Sequence, residues 1–248
     1  MSNMRFIVDF HKDAERQAPG CEEATLKALG YIQDPDNLEK ILDIGCGTGA
    51  STLVLARHTR ARIIAIDTLN DFLEALRFKA AAQGLSDRIS AVEMSMEAMT
   101  FSPQSFDLIW AEGSIYHIGF EMGLNYWKPF LKSGGYLAVS EITWLTEERP
   151  EEVERYWVSE YPQIGTLADK WKSAASAGYT RVGHFPLTPD CWREHYYLPL
   201  LGRSEEFLQK HDYSAEAKAF VHEGREEAAM FDKYGQYYSY VFYIMRKD

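Results

Sequence analysis

Asp43, Gly45, Gly47 and Gly49 stand at alternate positions in ILDIGCGTGAS, residues 41–51. An apolar run that breaks into a glycine turn and then feeds a helix presents backbone N–H groups to an anionic or polar ligand, the arrangement that holds a nucleotide. Asp67 ends the next apolar run, 18 residues past Gly49. An acid at that point is placed to accept hydrogen bonds from ribose hydroxyls. A third group, Glu112, Ser114, Tyr116 and His117, sits in WAEGSIYHIGF at the end of a later apolar run. His117 is the general-base candidate among them, because an imidazole titrates near working pH; its structural alternative is a local hydrogen bond at the start of the next helix. Glu112 can hold a cation, and Tyr116 completes the catalytic set.

The glycine loop fits two patterns. Gly45, Gly47 and Ala50 satisfy the dinucleotide fingerprint G-x-G-x-x-G/A. Asp43 with Gly45, Gly47 and Gly49 satisfies the shorter E/D-x-G-x-G-x-G. Asp43 separates them. A carboxylate two residues before the first glycine repels a pyrophosphate and tolerates an ammonium or sulfonium, and its burial is costly unless it is satisfied. The turn's own N–H groups are its expected donors. Cys46, with no base or metal partner in sight, is small filler.

These residues need elements to position them. KILDIG, ARIIAID, RISAVEM, SFDLIWAEG and YLAVSEITW read as strands one to five. Between them lie helical patterns, including LNDFLEALRFKAAAQG, closed by Gly84, and FEMGLNYWKPFLKSGG, ending at a glycine pair. Short apolar strands separated by helices build a parallel sheet. YTRVGHFPL reads as a sixth strand and QYYSYVFYIMRK as a seventh. TLADKWKSAASAG has Thr166 as its N-cap. The expected fold is α/β, a doubly wound, mostly parallel seven-stranded sheet in one domain over 1–248. Residues 1–37 form a helical lid, 38–188 the core, and 189–235 a helical insert before the last strand, 237–246. From Glu141 to Glu160 there are seven Glu against two Arg, with Trp144, Tyr156 and Trp157, and Tyr161 just beyond. This reads as an amphipathic surface helix, with a cage for an amine as the functional alternative. Trp192, His195 and Tyr196 have the spacing of one helical face.

Composition narrows the partners. The formal net charge is −11, without the basic footprint of a duplex-binding protein, so nucleic acid is not expected as a substrate. No run approaches the length of a membrane span, and the N-terminus fits neither a secretory nor a transit peptide. Cys21, Cys46 and Cys191 are odd in number and widely spaced, which suits a reducing cytoplasm and argues against a disulfide frame or a metal site.

On these motifs the chain resembles the class I S-adenosylmethionine-dependent methyltransferases of the small-molecule, ubiquinone/menaquinone-type branch. ILDIGCGTG, IIAIDTLNDFLEAL, FSPQSFDLIWAEGSIYHI and FLKSGGYLAVSE carry the resemblance over about residues 38–142, with RQAPGC a looser match to a lid segment. It implies a Rossmann-like methyltransferase fold, S-adenosylmethionine as cofactor and S-adenosylhomocysteine as product. The loop Gly45, Cys46, Gly47, Thr48 and Gly49, with Asp43 behind it, would meet the methionine part. Asp67 would hold the ribose, Thr68 and Leu69 would flank the adenine, and Ser95 and Met96 would border it. Many relatives carry Asp at the position of Ser95. Ala111 and Glu112 would lie beside the ammonium and the transferred methyl, and Arg16 and Gln17 would close over the carboxylate. The implied reaction is methyl transfer by in-line displacement to a small-molecule amine or hydroxyl. The rivals are an NAD-dependent oxidoreductase and a non-catalytic binding module; a macromolecular acceptor is disfavoured by the acidic balance. No [D/N]-P-P-[Y/F] follows strand four, where AEGS stands instead. A homodimer is compatible with the sequence.

Overall fold

The computed structural model describes residues 2–248. Two helices precede the sheet, α1 (Ser2–His11) and α2 (Glu22–Leu29), joined by an irregular strap of turns and bends over residues 12–21. The alternating part follows as β1 (Lys40–Ile44), α3 (Ala50–His58), β2 (Arg62–Asp67), α4 (Asn70–Ala82), β3 (Ile89–Glu93), β4 (Phe106–Ala111), α5 (Phe120–Trp127) and β5 (Leu131–Trp144). Then come α6 (Glu151–Glu160), β6 (Gly165–Thr166), α7 (Leu167–Ser176) and β7 (Tyr179–Pro186). The insert holds α8 (Pro189–Trp192), α9 (Leu198–Gly202), α10 (Ser204–Lys210) and α11 (Ala215–Tyr234), and β8 (Tyr238–Lys247) closes the chain.

The sheet order is β3-β2-β1-β4-β5-β8-β7, with β6 added beside the end of β5. β8 runs antiparallel to both neighbours and the other pairings are parallel. β1 and β4 are neighbours although β2 and β3 intervene in sequence, so the winding reverses between them. Their carboxyl ends open the crevice where ligands bind in such sheets. β1 and β4 are covered on both faces, which is why they read as unbroken apolar runs. One core layer packs one face of β1, β2, β4 and β8 against α2, α3, α4 and the insert; the other packs their opposite face against α5 and α7.

Three details differ from the sequence reading. The helix expected to end at Gly134–Gly135 stops at Trp127, where Pro129 forces a short 3₁₀ turn, and β5 begins at Leu131. Phe106 pairs with Leu131 but Leu108 with Tyr136, so Lys132–Gly135 bulge out of the strand. Gly134 has φ +74°, and a Cβ on Gly135 would meet the Lys132 and Asp107 carbonyl oxygens at 2.9 and 3.1 Å. The sheet also gains β6, two residues that periodicity cannot reveal; its Thr166 caps α7 as expected, in a capping box with Asp169. In the insert, residues 193–197 form a π-turn, because Pro199 has no N–H to give to the preceding turn. The turn breaks the expected common face. Trp192 is buried and stacks on Phe231 at 4.5 Å, His195 is exposed, and Tyr196 is half-buried.

Candidate active site

The glycine loop turns back at the end of β1. Gly45, Gly47 and Gly49 have φ of +66°, +54° and +90°, a region costly for any residue with a Cβ. All three also lack room: a Cβ on Gly45 would lie 2.5 Å from Ser114 Cβ. A Cβ on Gly47 would lie 2.2 Å from Gln17 Oε1, and one on Gly49 would lie 2.2 Å from Leu76 Cδ1. The Gly45 and Cys46 N–H groups donate to Ile66 O at 2.9 and 3.0 Å, which ties the loop to β2.

Asp67, not Asp43, accepts from this loop. Asp67 Oδ2 receives the Gly47 N–H at 2.9 Å and Oδ1 the Leu69 N–H at 3.0 Å. Each oxygen keeps a lone pair for a further donor. Asp43 lies behind the loop, 1% exposed, where Oδ2 accepts from Thr52 Oγ1 at 2.6 Å and Ser51 Oγ at 3.0 Å. Its Oδ1 is sealed without a partner among the described residues. Burial pushes the Asp43 carboxyl up to about 7 against the Thr52 and Ser51 hydroxyls that lower it, with Glu112 and Asp67 pushing it further up. A raised folded-state pKa gives stability that is complete below the unfolded value near 4 and is lost as pH rises through 7. In urea unfolding at pH 4 and pH 8, the stability of Asp43→Asn relative to the parent should therefore improve toward pH 8. A constant difference would place the titration elsewhere.

The crevice opens into a cavity of about 600 Å³, large enough for a nucleoside with a second small molecule beside it. Gly45, Cys46, Gly47, Asp67, Thr68, Leu69, Ser95, Met96, Glu112, Tyr116 and His117 line it, as do Arg16 and Gln17. The fold thus gathers thirteen of the expected site residues from five separate stretches. Asp43, Thr48, Gly49 and Ala111 do not line it. Ala111 is fully buried in the strand. Thr48 is buried under the loop, accepting from Lys79 Nζ at 2.8 Å and Gln17 Nε2 at 3.1 Å through its hydroxyl.

The strap is bound to this crevice by two side chains. Gln17 Oε1 accepts the Thr48 N–H at 2.9 Å, while Gln17 Nε2 also donates to His11 O. Arg16 Nη1 donates to Glu112 Oε1 at 2.6 Å; the two side chains are 8% and 5% exposed. Glu112 Oε2 accepts from Thr25 Oγ1 at 2.9 Å and Trp110 Nε1 at 3.3 Å. Glu112 is therefore already a paired carboxylate.

Next to the glycine loop, Ile115–His117 form one 3₁₀ turn, held by Ser114 Oγ donating to Ile44 O at 2.6 Å. His117 lies against Tyr116, ring centroids 4.0 Å apart. The His117 ring has no hydrogen-bond partner among the described residues. Its tip is exposed, but the wall behind desolvates it and holds its pKa below the ordinary imidazole value, with Asp67 opposing. A neutral imidazole with a free lone pair can take a proton. Burial, with Glu227 and Glu141, pushes the Tyr116 hydroxyl up to about 12, so it stays protonated and can donate.

The sequence predicts a helical lid over residues 1–37 and sets Tyr196 on a helical face that packs or lines a pocket lid, but singles out none of the α1 residues that form the roof. Met4, Ile7 and His11 on one face of α1, with Tyr196 and Phe220 from the insert, close the cavity from above. The spacing of the α1 residues marks a single helical face and was available as a signal. The opposite face carries Phe6 and Phe10, which pack on Phe207 and Phe220. Burial, helped by Arg203, lowers the His11 pKa to about 4, so this second imidazole is neutral too. The acidic and aromatic segment contributes no cage. Trp144 and Trp157 are in the core, Glu141 pairs with Lys170 at 2.9 Å, and only Tyr161 reaches Tyr116, at 6.3 Å.

Strand order and winding make this a Rossmann-like α/β fold, with the alternate-glycine loop and the acid ending β2 at its crevice. Residues 41–135 match the family model described as a methyltransferase domain. The chain is 33% identical over 104 residues to the methyltransferase GfsG of Streptomyces halstedii, covering 42% of this chain and 37% of that protein. It is 26% identical over 165 residues to demethylmenaquinone methyltransferase of Bacteroides fragilis, covering 64% of this chain and 66% of the relative. A solved methyltransferase from Geobacter sulfurreducens, in complex with S-adenosyl-L-homocysteine, superimposes with a TM-score of 0.85 at 16% identity, covering 98% of each chain. The chain spans under two fifths of the length of GfsG and of the sterol 24-C-methyltransferase of Yarrowia lipolytica. The oxidoreductase alternative is not favoured. No helix among the described residues is long and apolar enough to cross a membrane.

Proposed function

We propose that this chain transfers a methyl group from S-adenosylmethionine to a small-molecule amine or hydroxyl, acting as one domain with its lid and insert over the site. The observation that carries the reading is the cavity itself. It joins a positive-φ glycine loop, an Asp67 carboxylate with spare lone pairs, and an imidazole without a hydrogen-bond partner among the described residues. The residues fit the cofactor. Asp67 suits two ribose hydroxyls, and Leu69, Phe72, Met94 and Met96 offer an apolar slot for an adenine ring. The bare glycine loop admits the amino-acid end, with Gln17 and Arg16 beside it. When bound, the cofactor supplies the electrophilic methyl and the thioether leaving group.

The chain's own residues do the rest. α1 and the strap exclude water. His117 takes the proton of the acceptor N–H or O–H, and Tyr116 donates to the same group to orient it. Arg16 and Glu112 hold the strap on the end of β4. Because the His117 pKa is lowered, the base stays neutral through pH 7, and the acid limb of the rate profile should fall below the ordinary imidazole range. A limb at or above 6.5 would contradict this.

Transfer of labelled methyl from S-adenosylmethionine to a panel of amines and phenols tests the reading. Asp67→Ala should weaken S-adenosylhomocysteine binding by roughly 1–3 kcal/mol, through lost charge-assisted hydrogen bonds. Unchanged affinity would sink the ribose placement.

A further inference from the structure

Two of the three cysteines meet. Cys21 caps the start of α2 at the end of the strap, and Cys191 lies in α8 of the insert, 170 residues away; their Sγ atoms are 2.9 Å apart. The Gly20 N–H donates to Cys191 O at 3.2 Å, so the backbones are also joined at this point. Cys46 is separate, within the glycine loop.

The pair sits where the lid halves meet. On one side, Cys21 O accepts from Thr25 Oγ1, and the same hydroxyl serves Glu112, the partner of Arg16. On the other, Cys191 precedes Trp192, which anchors the insert in the core, and Tyr196, which roofs the cavity. A bond between the sulfurs would tie strap and insert together across the site.

We infer that Cys21 and Cys191 are an oxidisable dithiol whose disulfide locks the strap over the cavity. Forming an S–S bond of about 2.0 Å needs the sulfurs to move together by about an ångström. With a peroxide as oxidant, one sulfur attacks the O–O bond and becomes a sulfenic acid, releasing water. The other displaces that oxygen as a second water. Two thiols lose two hydrogens and two electrons, and the peroxide is reduced to two waters. The Cys21 S–H donating to Cys191 favours the thiolate there, and Thr188 Oγ1, 3.5 Å away, adds to this. Cys21 keeps the larger residual exposure, 7% against 1% for Cys191.

The test is mild hydrogen peroxide treatment of the full chain, followed by thiol counting after denaturation and by non-reducing peptide mapping. The expected result is a fall from three free thiols to one, a mass loss of two hydrogens, and a peptide joining Cys21 to Cys191. Closing so long a loop should raise Tm by roughly 5–10 °C, and both Cys21→Ser and Cys191→Ala should abolish the rise. Three thiols persisting, or a bridge through Cys46 or between chains, would overturn the site. The locking effect rests on the cofactor reading: S-adenosylhomocysteine should leave the oxidised form more slowly, and an unchanged release rate overturns the lock. If the reduced protein does not bind S-adenosylhomocysteine at all, the cofactor reading fails instead, and mass, mapping and Tm decide the dithiol alone.

Discussion

His117→Ala is expected to lower turnover by about 10²–10⁴, the range a positioned general base contributes, while leaving S-adenosylhomocysteine affinity nearly unchanged. The split follows from placement. His117 lies on a one-turn segment that lines the cavity, its ring making no hydrogen bond among the described residues. Nothing in the fold hangs on that imidazole, so its loss should not unfold the chain, and stability within about 0.5 kcal/mol of the parent is expected. Single-turnover methyl transfer with an identified acceptor, measured across pH, checks it. The parent's acid limb should vanish in the variant. An unchanged rate would return His117 to a structural role and leave Tyr116 or the acceptor itself to manage the proton.

Glu112→Ala should cost about 3–5 kcal/mol of unfolding free energy, because it strands a buried guanidinium. Arg16 is 8% exposed and keeps only a 3.5 Å contact with Thr25 Oγ1 once the carboxylate is gone. Trp110 Nε1 loses its acceptor at the same time, and Thr25 Oγ1 is left with Cys21 O at 3.2 Å. Removing both partners should hurt less than the two single changes combined. Arg16→Met with Glu112→Leu replaces the pair with apolar groups, and a coupling of roughly 0.5–3 kcal/mol is the expected signature. Urea unfolding of the four proteins measures it. Additive losses would mean that the two side chains do not depend on each other, and that the strap is held by its other contacts, Gln17 with Thr48 and Gly20 with Cys191 O.

The strands at the centre of the sheet were legible because both their faces are covered. KILDI and FDLIWA carry enough apolar residues to mark a buried parallel strand whatever surrounds them. The glycine loop and Asp67 were legible because the backbone there tolerates few alternatives. What Asp43 does was not. The sequence places it before the loop, but its donors, Ser51 and Thr52, come from one turn into α3, and only the folded geometry turns them back toward it. The Arg16–Glu112 pair spans 96 residues and the Cys21–Cys191 contact 170. Neither separation leaves a local pattern, so an odd count of scattered cysteines concealed an adjacent pair. The bulge at Lys132–Gly135 was hidden for a different reason. A glycine pair after a helical pattern signals a helix end, and the same two residues permit a strand to bulge.

The most direct test of the account is isothermal titration of the purified chain with S-adenosylhomocysteine and, separately, with NAD. Saturable one-site binding of S-adenosylhomocysteine, weakened in Asp67→Ala, with no heat from NAD, is the predicted result. Binding of NAD alone would mean that the loop cradles a pyrophosphate despite Asp43, and the methyl-transfer reading would have to be abandoned.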